Sequence, residues 1–227
     1  MQLIGGLLPP GVVAAEAWKD DLSQSLFPEE ASQLKGAVAS RMREFATARS
    51  CARQALCKFG LPPMPILSGA NREPLWPRGI VGSITHCPGY RAAAISRQSE
   101  FMALGIDAEI HDRLPADVIE HVCKGPELAW LSTAPDGTHW DRVLFSAKES
   151  IYKAWFPLTR KWLGFEDVSV IIDPAGGTFH ANLSLEPLIV DGHTLQQFTG
   201  RFLVCRGLIL TAVAIARNNF AAKPQEK

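Results

Sequence analysis

Apolar residues recur at three- and four-residue steps through Leu34, Val38, Phe45, Ala48, Ala52, Leu56 and Phe59. That is the period of one face of an α-helix. The pattern predicts a helix over residues 29–59, stopped by Gly60-Leu61-Pro62-Pro63, where glycine favours a helix end and proline cannot extend it. A second helix is expected over 139–155, with Trp140, Val143, Leu144, Ala147, Ile151, Ala154 and Trp155 on one face and Pro157 just beyond. Residues 61–79 carry Pro62, Pro63, Pro65, Pro74 and Pro77 and read as loop. Short strands are expected at 80–86 and 91–96, around Cys87-Pro88-Gly89. In a third, at 104–110, Leu104, Ile106, Ala108 and Ile110 alternate with Gly105, Asp107 and Glu109. Beyond the loop at Leu163-Gly164-Phe165, strands are expected at 168–172, 197–205 and 208–216.

Each half therefore reads as a long helix followed by strands able to pair antiparallel. This is an α+β class with a weak internal duplication. The expected boundaries are 1–103 for the N-terminal half, 104–217 for the C-terminal half, and a polar, frayed tail at 218–227.

Composition narrows the function classes. The 227 residues are 47% hydrophobic, with 23 basic and 23 acidic residues and zero formal net charge. Such a balance carries no global signal for nucleic acid or an anionic membrane. Cys51, Cys57, Cys87, Cys123 and Cys205 are odd in number and widely spaced, which argues against a disulfide framework and a structural zinc site. The apolar start, residues 1–15, is broken by Gly5, Gly6, Pro9, Pro10 and Gly11, and no basic residue precedes Lys19. No signal peptide is expected. The apolar run at 207–216 is too short to cross a bilayer. These features lead to the expectation of a soluble, cytoplasmic protein.

Local charge is less even. Between 35 and 58 lie Lys35, Arg41, Arg43, Arg49, Arg53 and Lys58 against one acid, Glu44. Between 100 and 141 the bias reverses, with Asp107, Glu109 and seven other acids against Arg113 and Lys124. A basic segment followed by an acidic one suits an anion on one side of a site and a metal on the other; two solvated faces fit the charges equally well. Asp107 and Glu109 share one face of a strand, and two neighbouring acids favour a cation beside them. Glu149 and Lys153 are four apart on one helix face.

The chain Gly105-Ile106-Asp107-Ala108-Glu109, followed some forty residues on by Phe145-Ser146-Ala147-Lys148-Glu149-Ser150-Ile151-Tyr152-Lys153, resembles the two signature motifs of 4'-phosphopantetheinyl transferases. The likeness is to the surfactin-synthetase-activating type, including its actinobacterial members. Gly82-Ser83-Ile84-Thr85-His86-Cys87, the helix pattern Arg41-x-x-Glu44-Phe45-x-x-x-Arg49-x-x-x-Arg53, and Lys161-Trp162-Leu163-Gly164-Phe165 agree with that subgroup. The resemblance spans roughly residues 35–170, in order and in register.

The resemblance implies an α+β fold of two similar halves related by a pseudo-twofold axis, with the site between them. It implies transfer of phosphopantetheine from coenzyme A to a serine of apo acyl or peptidyl carrier proteins, releasing adenosine 3',5'-bisphosphate. Asp107, Glu109 and Glu149 would hold Mg2+, with Mn2+ an alternative for the same oxygens. Glu149 would also act as general base, and Lys153 would assist the leaving phosphate. Arg41 and Arg49 would bind the 3'-phosphate. Ser83, Thr85 and His86 would line the nucleotide, and Lys148 would contact phosphate. Arg53 is expected to be structural. Many relatives carry Gly-Lys-Pro where this chain has Asn71-Arg72-Glu73-Pro74, a departure from the pattern; in a coenzyme A site of this type Arg72 is the cation that would take the place of that lysine. The segment 111–130, acidic with Leu114, Val118, Ile119 and Leu128, would meet the carrier protein, although an ordinary amphipathic segment fits it equally. Both halves in one chain imply a monomer. A non-catalytic coenzyme A or nucleotide-binding module would need the basic helix but not Glu149 with Lys153. A metallohydrolase would need the HxH or HExxH spacing that the histidines lack.

Overall fold

The computed structural model describes residues 2–20, 25–190 and 192–217; the expected tail at 218–227 lies outside them. A 3-10 turn, Ile4–Leu7, precedes β1 (Val13–Ala17), α1 (Pro28–Ser32) and α2 (Ala39–Lys58). Then come β2 (Ile80–Cys87), β3 (Tyr90–Arg97), β4 (Phe101–Ile110), α3 (Ala116–Val122), α4 (Pro126–Leu131) and α5 (Trp140–Thr159). A 3-10 turn at Phe165–Asp167 leads into β5 (Val168–Asp173), β6 (Thr178–Leu183), β7 (Leu188–Val190), β8 (His193–Leu195), β9 (Gln197–Cys205) and β10 (Leu208–Ala216).

Two antiparallel sheets organise these elements, in the orders β1-β3-β2 and β4-β10-β9-β6-β5; β7 and β8 form a small ribbon. The protein is α+β, with α2 on the three-stranded sheet and α5 on the five-stranded one. Strand periodicity explains the layering. Ala93 and Ile95 of β3 pack with Ala52, Ala55 and Leu56 of α2. Ala92 and Ala94 turn the other way, toward Leu104, Ile106 and Ala108 of β4 and Leu208, Leu210 and Ala212 of β10. The remaining face of the large sheet meets Val143, Leu144, Ala147 and Ile151 of α5. Gly105 allows that last contact, since a Cβ there would collide with Ser150 O and crowd Ala154 N of α5.

The two sheets meet where β2 runs beside β4. Ile106 N donates to Ser83 Oγ at 3.1 Å and Ala108 N donates to Thr85 Oγ1 at 3.0 Å. Side-chain hydroxyls thus satisfy amides at a strand edge that a backbone partner would otherwise cover.

Several elements differ from the sequence-based expectation. The single helix over 29–59 is two helices with turns between. Gly36 takes φ +83, a left-handed conformation that ends helical hydrogen bonding. Val38 consequently lies just before α2 and is 68% exposed rather than on its apolar face. The second helix continues through Pro157 to Thr159 and stops at Arg160, φ 56. Proline removes only one helical bond there, close to an end where carbonyls already lack partners. β1, β6, β7 and β8 carry no strong local signal; β1 gains its ladder only by pairing with β3. All five cysteines are free. Among the described residues no helix is long and apolar enough to cross a membrane.

Candidate active site

β4 and α5 bring the acids together. Asp107 and Glu109 occupy alternate positions of β4, so both side chains emerge on the α5 side. Glu149 and Lys153 lie one turn apart on α5. All four line a polar cavity of about 860 Å3, whose other wall carries Arg41, Arg49, Arg72, Thr85 and His86. A second cavity, about 510 Å3, shares Arg72, Glu149 and Lys153 and continues along Trp76, Ile80, Met102, Leu104, Tyr152 and Phe156. Glu149 and Lys153 therefore stand where a polar chamber meets a more apolar one.

Hydrogen bonds fix most of the acidic wall. Lys153 Nζ donates to Asp107 Oδ1 at 2.7 Å and to Ile106 O at 3.2 Å. Ser146 Oγ donates to Asp107 Oδ2 at 2.8 Å. Arg142 Nη1 donates to Glu109 Oε2 at 3.1 Å. Among the described residues, no donor hydrogen-bonds the half-buried Glu149 carboxylate. Burial, and then the charge of Asp107, raise Glu109 from 4.5 to about 7. The same two causes, in the same order, raise Glu149, while Lys153 pulls it back.

On the basic wall, Arg41 Nη1 lies 2.8 Å from His86 Nε2. Desolvation, and then the Arg41 charge, hold His86 below its ordinary value, so the neutral ring accepts from the guanidinium. Arg72 has φ 67 and its guanidinium has no protein partner among the described residues.

Residues 29–96 match the 4'-phosphopantetheinyl transferase N-terminal domain, and residues 103–199 match the 4'-phosphopantetheinyl transferase superfamily. The chain is 46% identical to 4'-phosphopantetheinyl transferase Svp of Streptomyces mobaraensis over 94% of its own length and 89% of that protein. It is 45% identical to Npt of Nocardia iowensis, covering 94% of this chain and all of that protein. It is 44% identical to PptT of Mycobacterium tuberculosis, covering 94% and 98%. This chain belongs to the 4'-phosphopantetheinyl transferase superfamily. Members of that superfamily move the phosphopantetheine arm of coenzyme A onto carrier proteins.

Within that family frame, four residues make contacts that differ from expectation. Lys148 was expected at a phosphate but is 2% exposed, enclosed by Val122 O, Glu127 and Phe165 O. Helical geometry turns it about 100° away from Glu149 and out of the cavity. Ser83 and Thr85 reach the cavity walls, and their hydroxyl oxygens accept the β4 amides; Thr85 also donates its O–H to Asp107 Oδ1 at 3.3 Å, whereas the Ser83 oxygen accepts without giving up its own O–H. Arg49 also lines the polar cavity while donating to Ile66 O at 2.6 Å and Ser68 Oγ at 2.9 Å. Its guanidinium lies 4.0 Å from the Phe45 ring centroid, and burial pushes it down to about 10.

Two further groups escaped the sequence reading. Arg142 lies seven residues before Glu149, two helical turns away, and that spacing was an available signal. Glu30 is fully buried; it accepts from Arg53 at 2.9 Å and Ile66 N at 2.8 Å. Its local role, accepting Phe27 N at 3.0 Å at the start of α1, gives no hint of its long-range partners, which lie 23 and 36 residues away in sequence.

The donor chemistry on the acidic wall fits a hard divalent cation. Three carboxylates face one cavity, and burial, then the charge of Asp107, raise two of them. Lys153 and Arg142 currently neutralise Asp107 and Glu109. Among the described residues, no three His, Cys, Asp or Glu side chains are drawn together as a metal-holding group.

Proposed function

We propose that this chain transfers the 4'-phosphopantetheine arm of coenzyme A to a serine of apo acyl or peptidyl carrier proteins in an Mg2+-dependent reaction that releases adenosine 3',5'-bisphosphate. The supporting observation is Glu149, a half-buried carboxylate without a hydrogen-bond donor at the junction of the two cavities. The polar cavity takes the nucleotide, with Arg41, Arg72 and His86 at its phosphates and Arg49 as part of the wall. Guanidinium forks suit phosphate oxygens. The more apolar cavity takes the pantetheine arm.

In this reading the pyrophosphate lies at the junction, beside Lys153. Glu149 accepts the serine proton as Oγ attacks the β-phosphorus, directly or through a water. The bond from that phosphorus to the bridging oxygen breaks, and Lys153 stabilises the departing 5'-phosphate. A base is needed because a neutral hydroxyl is a weak nucleophile. Raising the carboxyl by burial makes it a stronger base once ionised. Asp107, Glu109 and Glu149 would hold Mg2+, or Mn2+ through the same oxygens, and the ion would neutralise charge on the pyrophosphate.

We read residues 1–103 as the nucleotide-holding half and 104–217 as the half carrying metal ligands and base. Both walls come from one chain, which suits a monomer. Five free thiols suit a reducing cytoplasm.

The test is intact-mass measurement of an apo carrier protein incubated with the enzyme, coenzyme A and Mg2+. A carrier heavier by one phosphopantetheine, and unchanged when the metal is chelated, is the expected result. Unchanged mass across fatty-acid, polyketide and peptide carriers, with coenzyme A still bound, would leave a non-catalytic binding module.

A further inference from the structure

α5 presents two neighbouring stripes, each repeating every seven residues, or two turns. Arg142, Glu149 and, one turn on, Lys153 form the stripe associated with the carboxylate wall. Asp141 and Lys148 form the other, and both are buried. Asp141 Oδ2 accepts Leu114 N at 2.8 Å. Lys148 Nζ donates to Val122 O at 2.8 Å, Glu127 Oε2 at 2.8 Å and Phe165 O at 3.0 Å. Glu127 also accepts Val170 N on Oε1 at 2.8 Å and Lys124 N on Oε2 at 3.1 Å. One enclosed ion pair thus joins the end of α3, the start of α4, the turn at Phe165–Asp167 and β5 to the helix that carries Glu149.

The tied segment needs such an anchor. α3 and α4 have seven and six residues, too few for a helix to persist alone. The segment also begins on the carboxylate wall. Arg142, paired with Glu109, donates to Asp112 O at 3.1 Å and Arg113 O at 3.2 Å. Leu128 on α4 is exposed, beside the partly buried Trp130 and Leu131.

We infer that Lys148 and Glu127 are positioning residues that fix segment 112–131 against α5. An acceptor protein resting on that segment then presents its hydroxyl to Glu149. The inference rests on the transferase reading above. Lys148 acts through α3 and α4 and touches no part of coenzyme A.

Single variants leave one buried charge without its partner and unfold the site, so the informative variant is Lys148→Met with Glu127→Leu, which removes both charges together. In that double variant kcat/KM for an apo carrier should fall by about tenfold or more, the scale of a misplaced reactant. KM for coenzyme A, and Kd for adenosine 3',5'-bisphosphate, should stay within about twofold, because no phosphate contact is lost. Amide hydrogen exchange over residues 116–131 should accelerate while that of α2 stays unchanged. Unchanged carrier kcat/KM would overturn the inference. An equal weakening of coenzyme A would also overturn it, placing Lys148 at the phosphates. If the wild-type protein modifies no carrier, the transferase reading fails by itself. Hydrogen exchange then still tests the anchoring, and unaltered exchange over 116–131 sinks it.

Discussion

α2 and α5 are both twenty residues long, both lie on an antiparallel sheet, and both carry charged side chains toward the polar cavity. They use those charges differently. On α2, Arg53 is held by Glu30, Arg49 by Ile66 O and Ser68 Oγ, and Arg41 by His86. Protein acceptors enclose Arg53 and Arg49, while the Arg41 side chain stays 43% exposed with donors to spare for a phosphate, so this helix mainly shapes and preorganises a binding wall. On α5, Glu149 is left without a donor and shifted upward, beside Lys153 at the cavity junction. A satisfied charge stabilises a shape, whereas an unsatisfied carboxylate is available for chemistry.

The sharpest test of this contrast is Glu149→Gln. Loss of a general base should lower kcat by about 1000-fold, within the usual range for such groups, while coenzyme A binding measured by calorimetry persists. An active variant would remove Glu149 from the role of base.

On the α2 side the largest effect should be on stability. Glu30→Leu strands Arg53 beside an apolar residue and should cost about 3–5 kcal/mol in urea unfolding. A cost near zero would mean that the Glu30 hub is dispensable. Arg41→Ala should be milder, raising KM for coenzyme A roughly tenfold with kcat little changed, as for one charge-assisted contact. A fall in kcat alone would give α2 a chemical role and erase the contrast.

The smallest effect is a pH dependence of stability. A carboxyl raised in the folded state binds its proton more tightly there than in the unfolded chain. Glu109 therefore favours folding at low pH, and that contribution is lost as pH rises from 4.5 to about 7. Urea midpoints at about pH 5 and about pH 8 should differ less in Glu109→Gln than in the wild type, and added Mg2+ should narrow the wild-type difference at the higher pH. An identical difference in both proteins would show that Glu109 does not titrate in that window.

Much of this was readable before folding. Period-two alternation from Leu104 to Ile110 put Asp107 and Glu109 on one face, and helical spacing put Glu149 and Lys153 on another. Both depend on bond geometry within a few residues. The break at Gly36 was harder to read, because the apolar spacing runs straight through it and one glycine is a weak stop. Lys148 was misread for a different reason. Its neighbour Glu149 faces the cavity, but one residue along a helix is 100° of rotation, and only the position of α3, α4 and β5 decides what lies on the other side. Ser83 and Thr85 lie in a motif that marks the site, yet their hydroxyls answer the amides of β4.

The sequence by itself determined the two long amphipathic helices, the α+β class, the family and the acids of β4 and α5, since each follows from local periodicity or contiguous motifs. Tertiary structure alone decided which charges are satisfied. Glu30 with Arg53, Lys148 with Glu127 and Arg142 with Glu109 are pairs of residues 21 to 33 positions apart. Whether a buried charge becomes scaffold or reagent depends on the partner that folding brings within hydrogen-bonding distance.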